Sequence, residues 1–317
     1  MRVGIIGLGQ MAEIMIGWTE EISGVEITHV CDVAEQRVAQ ISHRLQAKGY
    51  TDYEKMLQEA DIDCVYVCVP PSLHLSVVKA AFEQGKHVLC EKPLANSIEE
   101  ANQLVELAQQ YGLVNGIHFT LQYGTAIPKM IALHQQNYLG KIRRIEINLR
   151  FPSWPRPTQN VAWVGSRKQG GMALEVCIHL INVIQMLAGE IVDVQSELEY
   201  QENPELCEQG IIARMELKDG TPIYINALAN IAGNEELISL GFHGTEGSLI
   251  MKDWDQLVGG RMGEPIVPIE GDAPTSVMLE MSKAIQRQPA RIIDFKNGFQ
   301  AQIVMEALRG NTTLKRK

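Results

Sequence analysis

The chain has 317 residues, of which 45% are hydrophobic and 21% are charged, an ordinary composition for a globular protein. Its formal net charge of −10 gives an acidic surface that repels phosphate backbones and anionic lipid, so we expect neither a nucleic-acid nor a membrane partner. No apolar run approaches the roughly 20 residues of a membrane helix, and the six cysteines show no metal or disulfide spacing, so we expect a cytoplasmic chain without a metal site.

Short apolar runs alternate with helical stretches over the first 119 residues. Strands are predicted at 2–6, 25–31, 63–69, 87–90 and 113–119, and helices at 10–21, 34–46, 52–59, 73–84 and 97–111. Strands that are apolar throughout and separated by crossover helices are typical of a parallel sheet covered on both faces. We therefore predict a doubly wound α/β domain over residues 1–119.

The hydrophobic pattern changes its period in the remainder of the chain. Apolar and polar residues alternate in the strands predicted at 144–151, 192–200, 211–217, 222–229 and 237–242. Helices are predicted at 172–187, 275–286 and 295–308. Alternation with short turns indicates an open, mainly antiparallel sheet with one face toward water. The second α/β domain is therefore predicted to cover residues 120–317.

A dinucleotide-binding fingerprint follows the first predicted strand. Gly7-Leu8-Gly9-Gln10-Met11-Ala12 fits the pattern G-x-G-x-x-G/A, in which the first glycine permits a tight turn and the second lets a pyrophosphate approach the backbone. The helix that begins there offers free N–H groups and the positive end of its dipole to the phosphates. Asp32 ends the second strand 20 residues after Ala12, where a carboxylate binds the adenosine ribose and repels a 2′-phosphate.

The choice between the two nicotinamide cofactors depends on Asp32 and Arg37. Arg37 lies one helical turn into the next helix, where an arginine either binds a 2′-phosphate or is a solvated helix residue. The position of Asp32 favours NAD, and NADP is the alternative.

Three further residues are candidates for the chemistry. Lys92 follows the strand at 87–90, and ligands bind beyond the carboxyl ends of parallel strands, so Lys92 is either near the reactive end of the cofactor or an ordinary surface lysine. Glu175 and His179 are four residues apart in the helix at 172–187, a spacing that places them on one helical face. Because that helix is apolar almost all round, the two form either a functional pair or an internal Glu–His pair.

These motifs resemble those of the glucose–fructose oxidoreductase / inositol dehydrogenase family, also called Gfo/Idh/MocA, almost from end to end. The stretches that carry the resemblance are the fingerprint, Pro70-Pro71-Ser72-Leu73-His74, Gly85-Lys86-His87-Val88-Leu89-Cys90-Glu91-Lys92-Pro93, Gly170-Gly171 through His179, and Gly244-Thr245-Glu246-Gly247-Ser248. The resemblance implies a Rossmann domain followed by an α/β domain for the substrate and for oligomerisation.

The resemblance also implies roles for the matching positions. Lys92 matches a lysine that contacts the reacting hydroxyl or carbonyl, and His179 matches a histidine that acts as acid and base. Glu175 stands where many members carry aspartate, and His118 where many carry asparagine, so the substrate does not follow from the resemblance. The implied cofactor positions beyond the fingerprint are Val69, Pro70, His74, Glu91, Lys92 and His118. The loop before the helix at 172–187 supplies the candidate substrate residues Trp163, Arg167 and Lys168.

The expected activity is hydride transfer between NAD(P) and a sugar, a cyclitol or a related polyol derivative. Two alternatives remain: a reductase of an imine, enal or tetrapyrrole substrate, and a dinucleotide-sensing regulator without turnover. The joint presence of Lys92 and His179 favours alcohol–carbonyl chemistry. We also expect the two domains to meet at the cofactor, with Lys92 facing Glu175 and His179. The resemblance implies a homodimer or homotetramer.

Overall fold

The computed structural model describes residues 1–157, 159 and 162–316. Contacts between residues group the chain into two compact units. The first unit comprises residues 1–119 and 275–302, and the second comprises residues 120–274 and 303–317. The sequence-based division at residue 120 assigned residues 275–302 to the second domain, whereas their contacts are with the first.

Strands and helices alternate in the first unit, and the second unit is built mainly of strands. The strands are β1 (Arg2–Ile6), β2 (Glu26–Cys31), β3 (Lys48–Tyr50), β4 (Cys64–Val67), β5 (His87–Cys90), β6 (Asn115–Ile117), β7 (Ile142–Phe151), β8 (Ile191–Tyr200), β9 (Glu208–Leu217), β10 (Pro222–Ala229), β11 (Leu237–Gly244), β12 (Gly247–Lys252), β13 (Gln256–Arg261) and β14 (Val267–Pro268). The helices are α1 (Gln10–Thr19), α2 (Glu35–Leu45), α3 (Tyr53–Glu59), α4 (His74–Glu83), α5 (Ile98–Tyr111), α6 (Ala126–Gln135), α7 (Ile178–Ala188), α8 (Val277–Ile285) and α9 (Phe295–Leu308). Among the described residues, no helix combines the length and apolar character needed to cross a membrane.

The sheet of the first unit has the strand order β3-β2-β1-β4-β5-β6, and all its pairings are parallel. Strands β1, β4 and β5 are buried almost throughout, as expected where helices cover both faces. The chain extends to one side of β1 through β2 and β3, and to the other side through β4, β5 and β6. Open α/β sheets bind ligands at such a switch point, beyond the carboxyl ends of the strands. The predicted doubly wound parallel sheet is confirmed.

Residues 275–302 belong to the first unit because they cover the edge strand β6. The Ile117 amide donates a hydrogen bond to the carbonyl of Ile293 (2.8 Å). The Phe295 amide donates to Oδ1 of Asn115 (2.9 Å). The first bond pairs a backbone group that an open sheet edge would leave exposed, and the second holds the start of α9 against β6.

The sheet of the second unit has the order β14-β13-β12-β11-β7-β10-β9-β8. Its pairings are antiparallel, except that β10 pairs with β7 in parallel. One face is buried through alternating residues such as Ile145, Ile147 and Leu149 of β7. The other face carries exposed side chains, among them Ile212 (66% exposed) and Tyr224 (39% exposed). The predicted mainly antiparallel sheet is confirmed, with one parallel pair that the alternation did not indicate.

The helix predicted at 172–187 is not α-helical throughout. Ala173–Cys177 form a π-helical turn, and α7 continues directly from it. Glu175 lies in this π-turn and His179 lies in the first turn of α7, so the regular α-helical spacing assumed for the pair is wrong. Turns of π-helix are rare in proteins, and a large share of those that occur lie at functional sites.

Candidate active site

The fingerprint loop connects the carboxyl end of β1 to α1. Gly7 has φ +94°, and a Cβ there would lie 2.6 Å from the carbonyl oxygen of Cys68, so only glycine fits this turn. Gly9 is the N-cap of α1, and no heavy atom lies within 4 Å of the position that a Cβ would take there. Because glycine has no side chain, the first N–H groups of α1 receive no side-chain cap from this residue. Open space beside uncapped backbone N–H groups fits an anionic pyrophosphate. Of the other fingerprint residues, Leu8 and Ala12 are buried, Met11 is half-buried and Gln10 is exposed.

The peptide groups of Leu8 are held by the two residues predicted to choose the cofactor. Oδ2 of Asp32 accepts a hydrogen bond from the Leu8 amide (2.7 Å), and Oδ1 accepts one from the Ala34 amide (2.9 Å). Nε of Arg37 donates to the Leu8 carbonyl (2.9 Å). Asp32 and Arg37 therefore also fix the shape of the loop proposed for the pyrophosphate.

Lys92 is half-buried and is the second residue after β5, in a loop that the side-chain amide of a distant residue holds in place. The side chain of Gln302 is completely buried and pairs twice with the backbone of Ala95. Its Oε1 accepts from the Ala95 amide (3.1 Å), and its Nε2 donates to the Ala95 carbonyl (2.8 Å). This clamp fixes the chain three residues beyond Lys92.

The ring of His74 links the two loops that follow β4 and β5, at the carboxyl ends of these strands. Its Nε2 lies 2.9 Å from the carbonyl oxygen of Val69, and its Nδ1 lies 3.2 Å from that of Leu94. Burial lowers the pKa of His74, while hydrogen bonds to the two carbonyls oppose the shift. His74 and Val69 were predicted to contact the cofactor, and in the structure they contact each other. Pro70, next in the chain, is exposed.

A buried network of three side chains lies next to Lys92. Oε1 of Glu91 accepts a hydrogen bond from the Tyr66 hydroxyl (2.5 Å) and lies 2.6 Å from Nδ1 of His118. Tyr66 belongs to β4, Glu91 follows β5 and His118 follows β6, so three neighbouring strands supply the network. Burial by itself would raise the pKa of Glu91, but attraction to His118 and the hydrogen bonds from His118 and Tyr66 lower it to about 2. Glu91 is thus an anion directly beside Lys92 in the chain, whose amide donates to its Oε2 (3.3 Å).

The lowered pKa of Glu91 predicts how its contribution to stability changes with pH. A carboxyl group that titrates near 2 in the folded chain, and near 4.3 when unfolded, stabilises the protein above about pH 4.3. That contribution is lost as the pH falls toward 2, and it amounts to about 2–3 kcal/mol. We expect the stability difference between wild type and Glu91→Gln, measured by urea unfolding, to stay nearly constant from pH 6 to about pH 5 and to shrink as the pH falls further toward 3. Glu99→Gln, at an exposed carboxyl group, is the matched control. A difference that stays constant with pH would show that Glu91 is not ionised through this network.

The second unit supplies the other predicted pair. His179 is buried, at 6% exposure, and Glu175 is half-buried. The Glu175 amide donates to the carbonyl of Gly171 (3.0 Å), which ties the π-turn to a residue two positions before its start. An imidazole and a carboxylate on one helical segment can together accept, hold and return a proton.

A buried carboxylate from β9 fixes the start of this helical segment. Oε1 of Glu208, which is 2% exposed, accepts a hydrogen bond from the Ala173 amide (2.8 Å). Gly171 has φ +102°, and a Cβ there would lie 2.3 Å from Oε2 of Glu208. Burial raises the pKa of Glu208, and the backbone hydrogen bond from Ala173 opposes the shift in part. No motif marks Glu208, which lies 35 positions from Ala173.

Two of the three predicted substrate residues have backbone carbonyls held by Arg309, the residue that follows α9. Nη2 of Arg309 donates to the carbonyls of Arg167 (2.7 Å) and Lys168 (3.3 Å). The Arg167 guanidinium lies 3.7 Å from the centre of the Tyr200 ring, so this side chain already has a partner. Trp163 and Lys168 are exposed and are available for contacts with a ligand.

The cysteines show no sign of redox or metal chemistry. All six are free, and burial raises the pKa of Cys64 to about 12. The Cys68 thiol donates to the Gly7 carbonyl (2.8 Å), and burial raises its pKa well above the ordinary value. Thiols of this kind remain protonated and unreactive. Within the described part of the chain, no group of three or more His, Cys, Asp or Glu side chains is placed to hold a metal ion.

Comparison with known families agrees with this arrangement. Residues 1–119 match the oxidoreductase family with an NAD-binding Rossmann fold, and residues 127–250 match the GFO/IDH/MocA C-terminal domain. The chain therefore belongs to the GFO/IDH/MocA family of NAD(P)-dependent oxidoreductases. The resemblance carried by the sequence motifs is confirmed.

Several relatives are named for the chemistry of sugars and cyclitols. A myo-inositol 2-dehydrogenase of Thermotoga maritima is 26% identical over 61% of this chain, and the matched region spans 56% of that relative, just over half its length. A 1,5-anhydro-D-fructose reductase of Ensifer adhaerens is 27% identical over 78% of this chain and 75% of the relative. A levoglucosan dehydrogenase solved with NADH and levoglucosan superposes with a TM-score of 0.87 over 100% of both chains, at 18% identity. That similarity supports the fold.

Proposed function

We propose that this chain uses NAD to interconvert a secondary alcohol and a carbonyl on a sugar, a cyclitol or a related polyol derivative. The observation that carries the proposal is the placement of Lys92. It follows β5 at the carboxyl ends of the parallel strands, where the fingerprint loop also lies. Its turn is held by the two hydrogen bonds between Ala95 and Gln302, and its neighbour in the chain, Glu91, is an anion. The relatives named for inositol, anhydrofructose and levoglucosan support the substrate class.

The residues present fit the pyrophosphate and the adenosine ribose of the cofactor. Gly7, Gly9 and the start of α1 would hold the pyrophosphate, and Asp32 would hold the adenosine ribose. When bound, the nicotinamide supplies the hydride chemistry. The protein then has two tasks: to orient the substrate and to move one proton.

The proton and the charge on the reacting oxygen are assigned to different side chains. During oxidation, His179 takes the proton from the substrate hydroxyl, and during reduction it returns that proton. The Lys92 ammonium stabilises the negative charge that develops on the same oxygen. Glu175 orients the substrate or the imidazole, and its half-buried position leaves it accessible for either role.

A substrate panel tests this proposal directly. The protein is incubated with NAD⁺ or NADP⁺ and with sugars, cyclitols and other polyols, and reduced nicotinamide is followed by absorbance. The corresponding ketones are tested with NADH in the reverse direction. Turnover on at least one polyol or ketone is the expected result. Tight NADH binding without turnover across the panel would instead favour a dinucleotide-sensing regulator.

The Asp32→Ala variant tests the adenosine end of the cofactor. We expect its affinity to fall more for NADH than for NADPH, by a difference of about 1–3 kcal/mol, because only the unphosphorylated ribose binds the carboxylate. Since Asp32 also holds the Leu8 amide, some loss is expected for both cofactors. Fluorescence titration measures the two affinities. An equal loss for both would assign Asp32 to the loop alone.

A further inference from the structure

Glu13, in the first turn of α1, binds two arginines of α2. Its Oε1 pairs with Nη2 of Arg37, and its Oε2 pairs with Nη2 of Arg44 (2.6 Å). The Glu13 and Arg37 side chains are only 31% and 30% exposed. Burial would raise the pKa of Glu13, but the hydrogen bond from Arg44 and the charge of Arg37 lower it. One carboxylate therefore pairs with two cations and offsets one of their two charges.

The guanidinium N–H groups of Arg37 that would bind a phosphate are already bound to acceptors in the protein. An arginine grips phosphate through two parallel N–H groups of its planar guanidinium. In Arg37, Nε donates to the Leu8 carbonyl (2.9 Å) and Nη2 pairs with Glu13. Nη1 donates to Oε1 of Gln40 (2.9 Å). Each guanidinium nitrogen thus already has an acceptor within the protein.

Arg37 nevertheless lies beside the loop proposed for the cofactor. The Asp32 carboxylate binds the amide of Leu8, and Arg37 binds the carbonyl of that same residue. The two side chains therefore flank one residue of the fingerprint loop. A 2′-phosphate on a ribose held by Asp32 would therefore come close to the charges of Arg37 and Glu13.

We propose that Glu13 is a cofactor-selectivity residue, which excludes NADP by keeping Arg37 and Arg44 from a 2′-phosphate. This inference rests on the proposed binding of the adenosine ribose at Asp32. Asp32 repels the phosphate directly. Glu13 forms ion pairs with the two arginines whose positive charges would otherwise offset that repulsion. Without Glu13, two uncompensated positive charges remain on α2.

The test is a comparison of dissociation constants for NADH and NADPH in the full-length protein, by fluorescence titration. In Glu13→Gln, the ratio of the NADPH constant to the NADH constant is expected to fall about 10- to 100-fold, because a phosphate gains charge-assisted hydrogen bonds. In Glu13→Gln/Arg37→Gln, most of that gain is expected to disappear. Glu20→Gln, which removes the same charge at the exposed end of α1, is the matched control and should leave the ratio unchanged.

A second variant tests the proposal without removing Glu13. Arg37→Lys, which keeps the charge but loses the planar guanidinium, should leave the ratio unchanged, because Glu13 engages Arg37 in the wild type. Since Arg37 also holds the Leu8 carbonyl, any loss of affinity is expected to be shared by both cofactors. A selective loss of NADPH affinity in that variant would overturn the proposal, as would an unchanged ratio in Glu13→Gln. Wild-type protein that binds neither nucleotide would overturn the proposed function together with this inference. NADH binding with an unchanged ratio overturns this inference alone.

Discussion

His179→Ala is expected to lower kcat by about 10²–10⁴-fold, the range that a positioned acid–base group contributes. The variant should still bind NADH with nearly wild-type affinity, because the fingerprint and Asp32 are distant from His179 in the chain and belong to the first unit. Imidazole titrates in the physiological pH range, so the wild-type pH profile of kcat/KM for oxidation should show an ionisation that the variant lacks.

Two comparisons separate a chemical role from a structural one. His134→Ala removes another histidine of the second unit, at the end of α6, and should leave kcat and the pH profile unchanged. Added imidazole should restore part of the activity of His179→Ala and none in His134→Ala. If His179→Ala kept near-wild-type kcat and the same pH profile, the role would pass to another group. His118 is the next candidate, although its contact with Glu91 already engages Nδ1.

Lys92→Met is expected to reduce kcat at least as strongly as the histidine substitution. Methionine keeps most of the length of the side chain and removes only the charge, so the loss reports the charge stabilisation at the reacting oxygen. Removing one such group from a water-poor site costs about 10²–10³-fold or more. Lys92→Arg should not restore activity, since a planar guanidinium does not replace a compact ammonium at one oxygen.

The matched control for Lys92 is Lys79→Met, at an exposed position on α4. It should leave kcat and KM unchanged. NADH affinity should stay within a small factor of wild type in Lys92→Met, which separates chemistry from cofactor binding. A variant that lost NADH affinity but kept its kcat would show that Lys92 binds the cofactor and does not act on the substrate.

The Lys92→Met/His179→Ala double variant tests whether the two residues serve one oxygen. Groups that act on the same transition state give losses that are far from additive. We therefore expect the double variant to be little slower than the slower single variant. Fully multiplicative losses would assign the two residues to independent steps.

The parts of the site that could be predicted are those whose chemistry is local in the sequence. The glycines of the fingerprint stand at fixed offsets after an apolar run, and Asp32 ends the next one. Lys92 follows the apolar run at 87–90, and the end of a strand is easy to find when a proline follows it closely. In each case the signal depends on a spacing within one strand and the turn that follows it.

The rest of the site depends on contacts between distant parts of the chain. Tyr66 and His118 are 25 and 27 positions from Glu91, and they meet because β4, β5 and β6 lie side by side in one register. Strands buried on both faces are apolar throughout, so their pattern contains no information about which residues become neighbours. The π-turn at Ala173–Cys177 was missed for a similar reason: the segment is apolar almost all round and shows no clear period.

The clamp between Gln302 and Ala95 has a consequence for how the chain is made. Residues 1–119 leave the ribosome first, but β6 and the Lys92 loop receive their partners only when residues 275–302 follow. At about 5–20 residues per second, synthesis of the intervening segment takes on the order of ten seconds. During that interval the nascent first unit presents an unpaired strand edge, a surface to which chaperones and neighbouring nascent chains bind. A fragment that stops at residue 119 would stay in that incomplete state permanently.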